Sequence, residues 1–111
     1  MKVLGFATTL VPLVLSGAKT TTWRLYDTRD LKPGQLVLFE ETVTRKPFAF
    51  ALIKRVRTKR FADVIDRDFE GHEKYEDTQT MYETFRSYYG NLAAPQAPLR
   101  IVQFELVKTL S

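Results

Sequence analysis

Three side chains that could do chemistry together lie close in the segment from Gly17 to Arg24. Thr22 carries a hydroxyl that could act as a nucleophile, provided that a neighbouring base accepts its proton. Lys19 could be that base if burial lowered the pKa of its amine from about 10.4 towards neutrality. Arg24 adds a guanidinium that could clamp a substrate, and a nearby carboxylate would complete the set by moving protons between substrate and leaving group.

A short helix and a strand are predicted to position these groups. The apolar residues Leu10, Leu13 and Val14 have helical spacing. Gly17 is suited to end that helix, because glycine takes the left-handed conformation at little steric cost. Three threonines follow, and their β-branched side chains favour a strand. Alternation gives this strand a polar face and a core face, which carry Thr20, Thr22 and Arg24 on one side and Thr21, Trp23 and Leu25 on the other.

The pattern resembles the ASCH family, which belongs to the PUA-like β-barrels. The hallmark of that family is a helix ending in glycine, then Lys and, a few residues on, Thr-x-Arg; here these are Gly17, Lys19, Thr22 and Arg24. Further matching segments are Leu31-Lys32-Pro33-Gly34, Ala51-x-Ile53-x-x-Val56, Glu70-Gly71 and Ile101 to Leu106. The resemblance therefore covers nearly the whole chain, although Gln35 stands where the family usually has Asp.

The 111 residues are expected to form one domain of the α+β class, a small PUA-like mixed β-barrel with two or three short helices. Strands outnumber helices, and no βαβ alternation is present. The predicted strands are Lys2 to Phe6, the motif strand, Gln35 to Glu40, a long strand from Phe48 and Leu99 to Val107. A helix is predicted from Thr78 or Thr80 to Tyr89, and a β-bulge near Lys54-Arg55 would bring Val56 to the core side.

The resemblance also implies an activity. Small single-domain ASCH proteins include amidohydrolases that deacylate N4-acetylcytidine with a Lys, a Thr and a Glu. Lys19 and Thr22 match the first two by spacing, and Glu70 matches the third because it precedes Gly71 at the Glu-Gly position of the family. Glu73 and Glu76 are nearby and stay open as alternatives for this carboxylate.

Charge is unevenly distributed along a chain with a formal net charge of +4. Seven Lys or Arg and no acid lie between Arg45 and Arg60, whereas eight acids lie between Asp63 and Glu83. The basic segment indicates a face that could meet phosphate, and Arg55, Arg57 and Lys59 are its predicted ligand-binding residues. The alternative is that both segments are ordinary solvated faces of opposite sign.

Several classes of site are excluded or disfavoured by composition. The chain has no cysteine, which excludes disulfides and thiolate metal sites, and the single His72 disfavours a zinc site. We therefore expect no metal and no cofactor, with His72 on a surface loop. The apolar N-terminal run superficially resembles a secretory signal, but Thr8, Thr9 and Pro12 interrupt it. A cytoplasmic protein without membrane contact is the expectation.

Two functions of different class follow. The favoured one is an RNA- or nucleoside-binding ASCH domain, in which a cleft lined by Lys19, Thr22, Arg24 and Glu70 lies beside a basic strand that holds phosphate. The alternative is an amidohydrolase that deacylates N4-acetylcytidine or a related acylated pyrimidine nucleoside. The basic cluster favours binding, and the combination of Lys19, Thr22 and Glu70 favours the enzyme.

Overall fold

Five strands form one mixed sheet in the computed structural model, which describes residues 1–110. The strands are β1 (Val3–Phe6), β2 (Thr21–Leu25), β3 (Leu36–Glu41), β4 (Pro47–Arg60) and β5 (Pro98–Thr109). Their order in the sheet is β1-β3-β4-β5-β2, with β1 parallel to β3 and the other pairs antiparallel. The sheet curls into a half-barrel, so the chain has the α+β architecture of a small PUA-like barrel.

Two α-helices and four short 3₁₀ segments complete the fold. Helix α1 (Val11–Ser16) connects β1 to β2, and helix α2 (Thr78–Tyr89) precedes β5. The 3₁₀ segments span Thr8–Leu10, Phe61–Asp63, Asp66–Phe69 and Gly90–Leu92. None of the helices within residues 1–110 is long and apolar enough to cross a membrane.

The predicted bulge in the long strand is present. The pairing of β4 with β5 shifts register between Ile53 and Arg55, which leaves Lys54 as the extra residue. Ile53 is fully buried before the shift, and Val56 packs against the same core after it. The bulge therefore keeps both apolar residues on the inner face although they are an odd number of positions apart.

The core is divided between the two faces of the sheet. One cluster is rich in phenylalanine and includes Phe6, Phe39, Phe48 and Phe104, whose rings contact one another. The second cluster lies under α2 and includes Trp23, Phe61, Met81, Phe85 and Leu99. Strand β2 is an edge strand that contributes Trp23 to this second core, as its sequence alternation predicts.

Candidate functional site

A cavity of about 480 Å³ opens where the two edge strands of the curled sheet approach each other. Its wall combines the end of β1, the residues leading into β2, the loop after the third 3₁₀ segment and the C-terminal turn of α2. Arg24 on β2 joins the two edges, because its guanidinium carbon lies 4.8 Å from the centre of the Phe6 ring on β1. The predicted residues Lys19, Thr22 and Arg24 all line this cavity.

Lys19 is the most buried cation of the site, with 2 % of its surface exposed. Gly17 ends α1 with φ +84°, and the Lys19 amide then donates to the Leu13 carbonyl at 3.0 Å. The Lys19 ammonium donates to Glu73 Oε2 at 2.6 Å. Burial lowers the pKa of Lys19, since desolvation of the ammonium outweighs the attraction of the Glu73 carboxylate.

Thr22 and Arg24 form the second polar pair of the cavity. Arg24 Nε donates to Thr22 Oγ1 at 3.0 Å, and Thr22 is 4 % exposed. Burial lowers the pKa of Arg24 to about 10, so its guanidinium stays charged at neutral pH. Because Arg24 uses an acceptor position of the hydroxyl, the proton of Thr22 remains available for donation to another group.

The structure does not bring Glu70 into this cavity; Glu73 stands there instead. The amides of Thr20 and Thr21 both donate to the Gly71 carbonyl, at 2.8 and 2.9 Å, so the loop crosses the start of β2 at this glycine. Glu70 lies on one side of the crossing, where it lines a separate pocket, whereas Glu73 lies on the other side against Lys19. The carboxylate of a cleft with Lys19 and Thr22 is therefore Glu73.

Gly71 is required at this crossing by its conformation and by its surroundings. It has φ +73°, a region that favours glycine. A Cβ atom here would collide with Thr20 Oγ1 and would lie 3.0 Å from Thr21 Oγ1. The Thr21 hydroxyl also donates to the Glu70 carbonyl at 3.0 Å, which fixes the loop on the strand.

His72 is buried beside the cavity, so the expectation of a surface loop was wrong. Its ring stacks on Trp23 with 4.2 Å between the ring centroids. Burial and the charge of Lys19 lower the pKa of His72 to about 4, so the ring is neutral at pH 7. Sequence reasoning missed this residue, because no nearby motif signals that its loop folds back over β2.

The two ring nitrogens of His72 have different roles. Nδ1 lies 2.8 Å from the Glu73 backbone carbonyl, and since a carbonyl only accepts, Nδ1 carries the proton of the neutral ring. Nε2 then presents its lone pair to Glu73 Oε1, 3.3 Å away. If either His72 Nε2 or Glu73 Oε1 took up a proton, a hydrogen bond would form between these two atoms. Burial would raise the pKa of Glu73. The positive charges of Lys19 and of a protonated His72 oppose this effect and hold the pKa below its usual value.

Most of the basic segment is paired with carboxylates. Arg57 and Lys59 donate to the two oxygens of Asp68, each at 2.7 Å. Burial alone would raise the pKa of Asp68, yet these bonds and one from the Ile65 amide lower it to about 2. Three other cations of the segment form ion pairs: Arg45 with Glu40, Lys54 with Glu105 and Arg60 with Asp63.

Arg55 is the predicted phosphate-binding residue that has no carboxylate partner within residues 1–110, and like Glu70 it lines the separate pocket. Lys59 lines neither this pocket nor the cavity.

The cavity that contains Lys19 has an aromatic wall, which consists of Tyr75 from the loop before α2 and of Phe85, Tyr88 and Tyr89 from α2. The helical spacing of three of these residues was visible in the sequence, but it indicated a core face and gave no sign of a cavity. Within residues 1–110, no group of three acidic or histidine side chains could hold a metal ion.

Comparisons with known proteins rest on structure, because no protein-family model and no curated protein matches this sequence. A protein of Enterococcus faecalis V583 from the family DUF984 aligns with a TM-score of 0.79 and 19% identity, over 99% of this chain and 82% of that one. The ASCH domain from Lactobacillus crispatus JV V101 aligns with a TM-score of 0.69 and 16% identity, over 96% and 80%. A variant of ZmASCH from Zymomonas mobilis aligns with a TM-score of 0.68 and 12% identity, over 98% and 73%. The chain has the ASCH-like fold that its sequence pattern implied.

Proposed function

We propose that this protein is an amidohydrolase that deacylates an N-acylated nucleoside of the N4-acetylcytidine type. The observation that carries the proposal is the buried contact of Lys19 with Glu73 in the same cavity as the Thr22 hydroxyl. A nucleophile, a base of lowered pKa and a carboxylate are the groups that amide hydrolysis requires. We assign these roles to Thr22, Lys19 and Glu73.

The cavity suits a nucleoside in size and in surface. Its volume of about 480 Å³ is within the range of roughly 300–1,000 Å³ for pockets that hold small molecules. Tyr75, Tyr88 and Tyr89 offer aromatic surface for a base, and stacking of a base on an aromatic side chain contributes about 1–3 kcal/mol. The acyl group would have to lie beside Lys19, Thr22 and Glu73, which line the same cavity.

The reaction proceeds in two halves. Thr22 Oγ1 attacks the acyl carbonyl carbon while the neutral Lys19 amine takes the hydroxyl proton. The carbon–nitrogen bond of the amide then breaks, and the Lys19 ammonium gives its proton to the departing nucleoside nitrogen. In the second half, water attacks the Thr22 ester, Glu73 accepts a proton from the water, and this proton returns to Thr22 as the carboxylic acid leaves.

His72 positions Glu73 in this scheme. Its Nδ1–H is held by the Glu73 backbone carbonyl, so Nε2 faces the Glu73 carboxylate and can share the proton taken from water. Arg24 orients the Thr22 hydroxyl through the 3.0 Å hydrogen bond from Nε. Because Lys19 must be neutral to accept a proton, the rate should rise with pH through the lowered pKa of its ammonium.

Turnover of N4-acetylcytidine, measured by chromatography, tests the proposal. Lys19→Arg keeps the charge but cannot release a proton, so it should abolish turnover; Thr22→Val should do the same, whereas Thr22→Ser should retain part of the rate. Glu73→Gln should lower the rate by about 10²-fold or more. Glu70→Gln is the matched control, because it neutralises a carboxylate three residues away that lines the other pocket.

Two results would contradict the proposal: no turnover of any acylated nucleoside by the wild-type protein, or Glu73→Gln and Lys19→Arg variants that turn over normally. The second candidate is then a domain that binds RNA or a nucleoside without chemistry. The same aromatic wall favours it, since stacking requires no catalytic group. Binding of cytidine that survives in the Lys19→Arg variant without any wild-type turnover would support this alternative.

A further inference from the structure

We propose that the pocket on the other side of Gly71 is a phosphate-binding site. We call it the arginine pocket; it has a volume of about 390 Å³, and its polar lining consists of Arg55, Arg57, Arg67, Thr20, Thr21, Gln103 and Glu70. It shares no lining residue with the cavity that contains Lys19. The proposal goes beyond deacylation and does not depend on it.

The charges of the arginine pocket favour an anion. The lining contains three guanidinium groups and one carboxylate, that of Glu70, which is a formal excess of two positive charges, and Asp68 outside the lining pairs with Arg57. Within residues 1–110, neither Arg55 nor Arg67 forms an ion pair with a carboxylate. Among the cations of β4, Arg55 is the one without an ion pair in the described residues, and it lines this pocket.

The Arg57 side chain is held in place by a hydrogen bond to Asp68. One of its terminal nitrogens donates to Asp68 Oδ1 at 2.7 Å, and Asp68 is buried and ionised. The remaining N–H groups of the guanidinium are free to serve a ligand, and the side chain is already ordered when the ligand arrives. Such pre-organisation reduces the entropy that binding must offset.

The bulge in β4 builds the rim of this pocket. After the extra residue Lys54, Arg55 pairs with Gln103 and Arg57 pairs with Ile101 on β5. Arg55 and Arg57 are two positions apart, so they lie on the same face of the strand. Arg67 comes from the 3₁₀ segment Asp66–Phe69, and the pocket therefore collects cations from two separate elements.

Phosphate is the ligand group that matches this chemistry. The planar fork of arginine binds two phosphate oxygens at once, and a phosphate monoester carries about −1.5 to −2 charges at pH 7. The exposed Thr20 hydroxyl and the Gln103 amide add neutral donors at the margin. The phosphate group could be that of a free phosphate or a mononucleotide, or it could belong to a polynucleotide backbone.

Binding of inorganic phosphate, cytidine monophosphate and a short single-stranded RNA, measured by calorimetry at low ionic strength, tests the proposal. Arg55→Gln and Arg67→Gln should each weaken binding at least about 5-fold, because each removes a charge-assisted contact. Arg86→Gln, on the exposed side of α2, is the matched control with the same change in charge, and its binding should stay within about 2-fold of wild type. Arg57 is left unchanged because it also holds Asp68.

The three ligands distinguish the source of the phosphate. Binding of inorganic phosphate and the mononucleotide, weakened by the two pocket variants, supports a site for free phosphate groups. Binding of the RNA alone, weakened by the same variants, supports a site for the polynucleotide backbone. Absence of binding by all three ligands, or affinities that Arg55→Gln and Arg67→Gln leave at the level of the Arg86→Gln control, would overturn the proposal. Cytidine monophosphate could also enter the cavity that contains Lys19, so the distinction from the proposed deacylation rests on inorganic phosphate and on the effects of Arg55→Gln and Arg67→Gln, since neither arginine lines that cavity.

Discussion

Replacing Lys19 by Met tests the electrostatic structure of the cavity without reference to any substrate. The change removes the ammonium but keeps an unbranched side chain, and it leaves the Glu73 carboxylate without the cation 2.6 Å away. The Glu73 side chain is only 25 % exposed, so water replaces that cation poorly. We expect the variant to fold with reduced stability.

The penalty for leaving the Glu73 carboxylate unpaired in the variant has an upper limit, because Glu73 can take up a proton. Protonating a carboxyl of ordinary pKa 4.5 at pH 7 costs about 2.5 units times 1.36 kcal/mol, or about 3.4 kcal/mol. At pH 5 the same limit is about 0.7 kcal/mol. In the variant, burial raises the folded-state pKa of Glu73 above its unfolded value. Stability is therefore retained below the unfolded pKa and is lost as the pH rises through the folded one.

Urea unfolding at pH 5, 6 and 7, followed by the fluorescence of the single tryptophan, Trp23, measures this difference. The loss relative to wild type should grow from below about 1 kcal/mol at pH 5 to about 2–3 kcal/mol at pH 7. The double variant Lys19→Met/Glu73→Gln should be more stable at pH 7 than Lys19→Met. Lys46→Met, an exposed lysine of the β3–β4 turn, is the control and should change stability by less than about 0.5 kcal/mol. A pH-independent loss, or a double variant no more stable than the single one, would refute the reasoning.

Three further predictions concern the surroundings of the two pockets. Gly71→Ala should destabilise the fold by about 2 kcal/mol or more in urea unfolding, and adding Thr20→Ala should recover only part of it, because the collision disappears while the positive φ remains. Asp68→Asn should cost about 3 kcal/mol by leaving two cations without their carboxylate, and wild-type stability should fall as pH drops from 4 towards 2, through the lowered pKa of Asp68. Nitrogen NMR of the single His72 should find its proton on Nδ1 and a neutral ring at pH 7, whereas a proton on Nε2 at pH 7 would contradict the assignment.

The parts of the site that lie close in sequence could be predicted. The helix end at Gly17, the strand after it and the packing of Trp23 in the core under α2 depend on local conformation, and the structure agrees with each. The bulge at Lys54 was also predictable, because Ile53 and Val56 could both be buried only if the strand gained a residue between them. Backbone preference and alternation are sufficient in these cases.

The carboxylate of the cavity could not be predicted in the same way. Glu70 and Glu73 are three residues apart in one irregular loop, and no periodicity assigns either of them to a face. Their positions depend on the hydrogen bonds of that loop to the start of β2, about fifty residues earlier in the chain. The ion pairs of the basic segment could not be predicted for a similar reason, since Arg57 and Lys59 are paired with Asp68 from the acidic segment that follows.

A single turn accounts for both pockets. The Gly71 carbonyl accepts hydrogen bonds from the amides of Thr20 and Thr21. These two bonds hold the loop against the start of β2, so that the residues before and after Gly71 lie on opposite sides of the strand. The end before Gly71 brings Glu70 to the arginine pocket, and the end after it brings Glu73 to Lys19. A side chain larger than hydrogen at residue 71 would push the loop away from β2 and would disturb both pockets together. The glycine next to Glu70 is therefore the residue that makes Glu73, three positions later than the expected carboxylate, the partner of Lys19.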